Sequence, residues 1–142
     1  MPQHSQIETA FRAALAARRH AYAPYSGYAV GAALLTDDGA IFAGCNVENA
    51  SYPVGTCAEA GAIAAMVAGG ARRISAMVVV ADGDELVAPC GACRQRMMEF
   101  ADPEAVVHFA RPGGIERSCD MADLLPMAFG PGALRAALGE RA

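Results

Sequence analysis

The chain has 142 residues, 54% of them hydrophobic and 18% charged, and its 11 basic residues, all arginine, face 15 acidic ones for a formal net charge of −4. That length supports one domain with a full core, and the composition excludes a disordered chain. The acidic balance argues against nucleic acid as a partner, and the absence of lysine removes Schiff-base and P-loop chemistry.

The spacing of Ile7, Phe11, Ala14 and Leu15 predicts a helix opened by a capping-box pattern at Ser5-Gln6-Ile7-Glu8 and ended before Pro24. Tyr28 to Thr36 and Ala40 to Val47 flank Asp37-Asp38-Gly39 and read as a hairpin. Asn49 to Thr56 is a polar loop, and a helix from about Cys57 to Ala68 is closed by Gly69-Gly70. Ser75 to Ala81, with three consecutive valines, has the pattern of a strand buried on both faces. A helix over Cys90 to Ala101, a strand over Ala105 to Ala110, a turn at Arg111 to Gly114 and a strand over Ile115 to Cys119 follow. Two short helices occupy Met121 to Leu125 and Pro131 to Leu138. Helices between strands favour a single domain, 1–142, whose sheet is covered on both faces. No basic start precedes an apolar core at the N-terminus, and the longest uncharged apolar run, Ala60 to Ala71, is too short for a bilayer. A soluble, cytoplasmic protein with no membrane partner is expected.

Two clusters carry the chemistry: Cys57-Ala58-Glu59 and Pro89-Cys90-Gly91-Ala92-Cys93. Both sit at predicted helix starts, where free amides and the helix dipole favour thiolate. Cys90 and Cys93 share a helix face, and with Cys57 they offer zinc three thiolates and one open position for water. Such a zinc lowers the pKa of bound water to about 7, and Glu59 is free to move protons. A Cys-x-x-Cys pair also marks structural zinc sites and redox dithiols. Those readings leave Cys57 or Glu59 unexplained. Cys45 and Cys119 are expected to be plain buried thiols.

A zinc ligand two residues before Glu, followed downstream by Pro-Cys-x-x-Cys, is the signature of zinc deaminases. The sequence resembles the small homotetrameric cytidine deaminases from about Tyr22 to Leu134. The resemblance is carried by Tyr25-Ser26, Val30 to Leu34, Gly44 to Ala50, Cys57 to Glu59, Pro89 to Gln95, Leu124-Leu125-Pro126 and Phe129-Gly130-Pro131. It implies a three-layer α/β/α fold with a mixed five-stranded sheet and one Zn2+ per subunit held by Cys57, Cys90 and Cys93. It further implies attack of hydroxide on the ring carbon bearing the amino group, with Glu59 protonating the adjacent ring nitrogen and ammonia leaving. The substrates implied are cytidine and 2′-deoxycytidine, since relatives acting on nucleotides or nucleic acids commonly have histidine where Cys57 stands. Asn46 and Glu48 match the pair that bonds the ribose hydroxyls, and the backbone amide of Ala58 matches a contact to the base. Tyr28 aligns with an aromatic that packs on the pyrimidine. Tyr52 and Phe129 correspond to residues that reach a neighbouring subunit's pocket in a homotetramer with shared active sites.

One departure stands out. Family members usually carry an arginine directly after the glutamate, donating to the zinc-bound thiolates, and here that position is Ala60. Another arginine is expected to supply the donor, Arg94 first and Arg96 or Arg72 next. Blasticidin S deaminases also lack that arginine, which keeps a cytosine-nucleoside antibiotic as the alternative substrate. They do not, however, keep the Asn-Val-Glu-Asn segment found at Asn46 to Asn49. A zinc-stabilised homologue that binds nucleoside without turnover is the non-enzymatic alternative, and Glu59 speaks against it.

Overall fold

The computed structural model describes residues 1–139. Its elements in chain order are α1 (His4–Arg18), β1 (Val30–Thr36), β2 (Ile41–Cys45), α2 (Ala58–Ala68), β3 (Ile74–Ala81), α3 (Gly91–Phe100), β4 (Ala101–Arg111), β5 (Gly114–Asp120), α4 (Met121–Leu124) and α5 (Pro131–Ala137). A single 3-10 turn, Tyr52–Val54, interrupts the loop before α2. The strands form one mixed sheet in the order β2-β1-β3-β4-β5. Only β3 and β4 run parallel, joined by the α3 crossover, and the other neighbours are antiparallel.

Alternation along the strands divides the core in two. Ala33, Leu35, Ala76, Val78, Val80 and Ala110 point to one face and pack on Ile7, Ala10, Phe11 and Ala14 of α1. Ala32, Leu34, Met77, Val79, Val107 and Phe109 point to the other, against Ala62 and Met66 of α2, Met97 of α3 and Leu124 of α4. Both faces of β1 and β3 are thus covered, and fully burying each Leu or Val there contributes about 1.5–3 kcal/mol. The layers are unequal, with one long helix on one side and three helices on the other. Among the described residues no helix is long and apolar enough to cross a membrane.

The boundaries differ from expectation where side chains replace backbone partners. The first strand starts at Val30 rather than Tyr28, because the Asn46 side chain takes the Tyr28 carbonyl (2.7 Å) and the Val30 amide (2.9 Å). The second strand ends at Cys45, while Val47 forms isolated bridges to Tyr22 and Thr56. The N-cap of α1 is Gln3, whose amide donates to the Gln6 side chain at 2.8 Å, two residues before the expected Ser5 box. β4 begins at Ala101, four residues early, through an irregularity opposite Ile74 and Ala76. Cys45 and Cys119, expected to be buried, are partly buried, Cys119 packing against the α2, α3 and α4 side of the core.

Two glycines set how near the helices come to the sheet. A Cβ on Gly31 would stand 2.0 Å from the Ala14 carbonyl oxygen of α1. One on Gly44 would meet the Ala62 nitrogen at 2.5 Å and the Ala58 oxygen at 2.6 Å, both α2 backbone. Gly44→Ala must therefore lift the helix whose first turn carries Ala58 and Glu59. The expected cost is about 1–3 kcal/mol, the usual range for overpacking, read from the urea midpoint together with reduced metal content of the purified protein.

Candidate active site

The site lies at the end of the sheet where β1 begins and β2 and β3 end, for Val30 pairs with Ala81 and Gly31 with Cys45. Two helices start there. Cys57 is the N-cap of α2 and Cys90 the N-cap of α3, both in extended backbone conformation (φ −78°, ψ 159° and φ −66°, ψ 165°). Both stand just ahead of their helices, where the sequence predicts helix from about Cys57 and from Cys90. The difference matters chemically, since an N-cap side chain sits beside the unpaired amides of the first turn. Cys93 lies within the first turn of α3 and is buried, whereas Cys57 is half-buried and Cys90 exposed.

The three sulfurs lie within 4.8 Å of one another. Across a tetrahedral zinc with bonds near 2.3 Å, sulfurs stand about 3.8 Å apart, so small rotations bring all three onto one ion. Their environments differ. Burial raises the Cys57 thiol, although a hydrogen bond with Cys93 offsets part of this. Burial also acts on Cys90, but the amides of Cys93 and Ala92 and the neighbouring thiols outweigh it and hold that thiol below its ordinary value. Cys93 is pushed far up by burial and by the adjacent Glu59 carboxylate. A donor set of one thiol eased towards thiolate and two held back by burial and mutual repulsion is what a divalent cation resolves. The residues fit zinc.

Glu59 is 4% exposed and, with Thr36, one of two buried polar or charged side chains among the described residues. Thr36 is satisfied inside the hairpin turn by Asp38 and Ala40. The neighbour of Glu59 is instead Cys93, whose Sγ donates to Oε2 at 3.3 Å. A carboxylate buried beside three thiols does nothing for stability that an apolar residue would not do better.

Above the sulfurs opens a cleft of about 340 Å³ lined by Tyr28, Val30, Asn46, Glu48, Tyr52, Cys57, Ala58, Glu59, Val79 and Cys90, among others. Every expected site residue except Cys93 and Phe129 thus lines one cavity. Cys93 lies beneath it against Glu59. Phe129 lies elsewhere, 62% exposed, with its carbonyl accepting from Gln95 Nε2 at 2.8 Å. Tyr52, expected to serve a neighbouring subunit, lines the cleft of its own chain and tilts against Tyr25 with ring centroids 5.8 Å apart. The loop Val87-Ala88-Pro89 forms an apolar wall that the sequence reading missed, because nothing in its residue types marks a ligand contact.

Asn46 and Glu48 are already engaged. Asn46 spends one lone pair and one N–H on Val30 and Tyr28, which leaves one of each for a ligand. Glu48 accepts the amides of Tyr25 (2.9 Å) and Ser26 (3.0 Å) and the Ser26 hydroxyl, so it fixes the Tyr25-Ser26 turn at the mouth of the cleft. Of the arginines expected near the thiolates, Arg94 is spent on the carbonyls of Pro89 (2.8 Å) and Leu124 (3.0 Å). Arg72 caps α2 through the carbonyls of Val67 and Ala71. Arg96 reaches sulfur, its Nη1 standing 3.9 Å from Cys93 Sγ. Helical phase could have told them apart, for Arg96 is three residues from Cys93 and on its face, while Arg94 is one residue away and turned aside.

The hydrogen bonds from Ser26 and Tyr25 hold the Glu48 carboxyl below its ordinary value, with the Ser26 hydroxyl the largest contributor. A depressed carboxyl stabilises the fold above its unfolded pKa, and that contribution is lost as pH falls through the folded value. Glu48→Gln is expected to lower the urea midpoint at pH 6, with the gap to the parent closing as pH drops well below 4.5. Tyrosine fluorescence follows the transition, since the chain has no tryptophan.

Comparison with known proteins agrees with this geometry. A family model described as the cytidine and deoxycytidylate deaminase zinc-binding region matches residues 4–109. A cytidine deaminase of Sporosarcina psychrophila is 46% identical over 113 residues, 80% of this chain and 83% of that one. One from Mycobacterium tuberculosis is 43% identical over 111 residues, 78% of this chain and 79% of its own. The crystal structure of cytidine deaminase from Burkholderia pseudomallei superposes with a TM-score of 0.81 at 46% identity, covering 90% of this chain and all of the other. The corresponding Mycobacterium tuberculosis structure gives a TM-score of 0.76 at 40% identity, covering 87% of this chain and 97% of that one. With its three cysteines and buried glutamate set at two converging helix starts, this chain belongs to the cytidine and deoxycytidylate deaminase zinc-binding family.

Proposed function

We propose that this chain hydrolyses cytidine and 2′-deoxycytidine to the corresponding uridines with release of ammonia, as a cytoplasmic enzyme of pyrimidine salvage. The observation that carries the reading is Glu59, a buried carboxylate 3.3 Å from a candidate ligand sulfur in the lining of a cleft of nucleoside size. When bound by Cys57, Cys90 and Cys93, zinc supplies a water acidified enough to attack at neutral pH.

The protein's own residues do the rest. Glu59 Oε2 takes one proton from the attacking water and delivers it to the ring nitrogen beside the reacting carbon. It then takes the remaining proton of that oxygen and passes it to the amino group, so that the carbonyl forms as the carbon–nitrogen bond breaks and ammonia leaves. The Ala58 amide is among the free N–H groups at the start of α2 and is available to the base. Tyr28 and Tyr52 give the base aromatic walls, and Val30 and Val79 an apolar lining. The remaining donor and acceptor of Asn46 and the remaining acceptor capacity of Glu48 suit ribose hydroxyls. Among the described residues, no arginine or histidine lines this cleft or the adjoining one of about 360 Å³, whereas Glu48 lines both. A phosphate would meet a carboxylate and no cation, which favours an uncharged nucleoside over a nucleotide. Ala60 supports a second reading, a cytosine nucleoside with a modified sugar. Comparing cytidine with such an analogue separates the two.

The same reading includes a homotetramer. Tyr25, Tyr52, Val54, Met127 and Phe129 are exposed, and Phe129, 62% exposed, lines neither cleft of its own chain. Sedimentation velocity is expected to show a four-chain species, and a fully active monomer would contradict this.

Turnover is read from the loss of cytidine absorbance in the ultraviolet. Glu59→Gln is expected to lower kcat by about 10²–10⁴-fold while retaining one zinc per chain. Unchanged turnover in that variant would remove the assigned role.

A further inference from the structure

The three sulfurs are not equally provided with positive partners. Cys57 and Cys90 are N-caps and stand beside the free amides of α2 and α3. Cys93 lies within the first turn of α3, beyond the N-cap, and its sulfur faces the carboxylate of Glu59 at 3.3 Å. Three thiolates on a divalent zinc leave the cluster with a net negative charge, and Glu59 adds to it. The thiolate that most needs a cation is therefore the one that the helix termini serve least.

Arg96 stands there. Its Nη1 is 3.9 Å from Cys93 Sγ, and the i, i+3 spacing holds it on the same face of α3. Among the described residues no carboxylate or carbonyl takes this guanidinium, unlike those of Arg94 and Arg72, which are committed to main-chain oxygens. We propose that Arg96 is a positioning residue of the metal centre: it donates to the Cys93 thiolate, offsets the surplus negative charge and so sets how tightly zinc is held. The inference rests on the metal-site reading above. Arginine suits the task because its guanidinium remains charged beside other groups and donates along fixed directions. Its exposed position, on a helix surface rather than in the core, lets it act without being part of the packing.

The test compares the parent with Arg96→Gln and Arg96→Lys as purified, zinc-loaded proteins titrated with a chromogenic chelator. Arg96→Gln is expected to weaken zinc binding by about 10-fold or more, the range typical for loss of an outer partner to a metal ligand. Arg96→Lys keeps the charge and should recover most of that loss. In the cobalt-substituted proteins the sulfur-to-metal charge-transfer band should move to lower energy in Arg96→Gln, since an uncompensated thiolate gives up charge more easily. A merely structural role would leave that band unmoved. Zinc held within about twofold of the parent, with the band unchanged, would overturn the proposal, as would a lysine variant as weak as the glutamine one. A parent that binds no zinc would overturn the metal centre itself, a result separable from failure of Arg96 alone.

Discussion

Two helices that begin at the same place govern this molecule. Free amide groups at the starts of α2 and α3 point at a small volume at the end of the sheet, and that volume holds three cysteine sulfurs within 4.8 Å of one another. Bringing three thiols and a carboxylate so close is unfavourable unless positive charge is supplied. The helix termini give part of it, Arg96 another part, and the ion the largest part. The cleft and its wall follow from where those termini meet.

The scaffold is arranged to keep them there. Both helix starts follow a strand that the core holds from both faces, β2 by way of the 46–57 loop and β3 by way of the 82–90 loop. Gly44 lets α2 lie directly on β2, so the entry angle of that helix is fixed by backbone contact rather than by a cushion of side chains. Such contact tolerates little sliding. On the other side of the cleft Asn46 and Glu48 tie down the Tyr25 to Val30 segment through its own amides and carbonyl. Two polar residues thus shape the pocket before they meet any ligand.

What the sequence disclosed and what it hid have separate physical origins. The grouping of Cys57, Cys90 and Cys93 beside Glu59 was legible because metal chemistry demands particular residue types at tight spacing, and few other uses produce that spacing. The hairpin and the β3-α3-β4 unit were legible from apolar periodicity and the Asp-Gly turn. The start of β4 was hidden, because Asp102, Pro103 and Glu104 carry no apolar signal and the pairing there passes through an irregularity. The true start of β1 was hidden because the Asn46 side chain stands in for a strand, which no local pattern shows. That Arg96 rather than Arg94 reaches Cys93 follows from angle around the helix, which nearness along the chain does not show. The unequal layers had no sequence signal at all, since both helix types carry apolar faces.

The Arg94 bonds to the Pro89 and Leu124 carbonyls reach across the molecule. Pro89 precedes the ligand Cys90, and Leu124 ends α4, beyond the 4–109 region that the family description covers. One guanidinium therefore buttresses the ligand loop from a stretch of chain that carries no ligand of its own. The stiffness of the metal centre is drawn in part from the tail, and a fragment cut to the matched region would keep every reactive group yet lose the strut that steadies one of them.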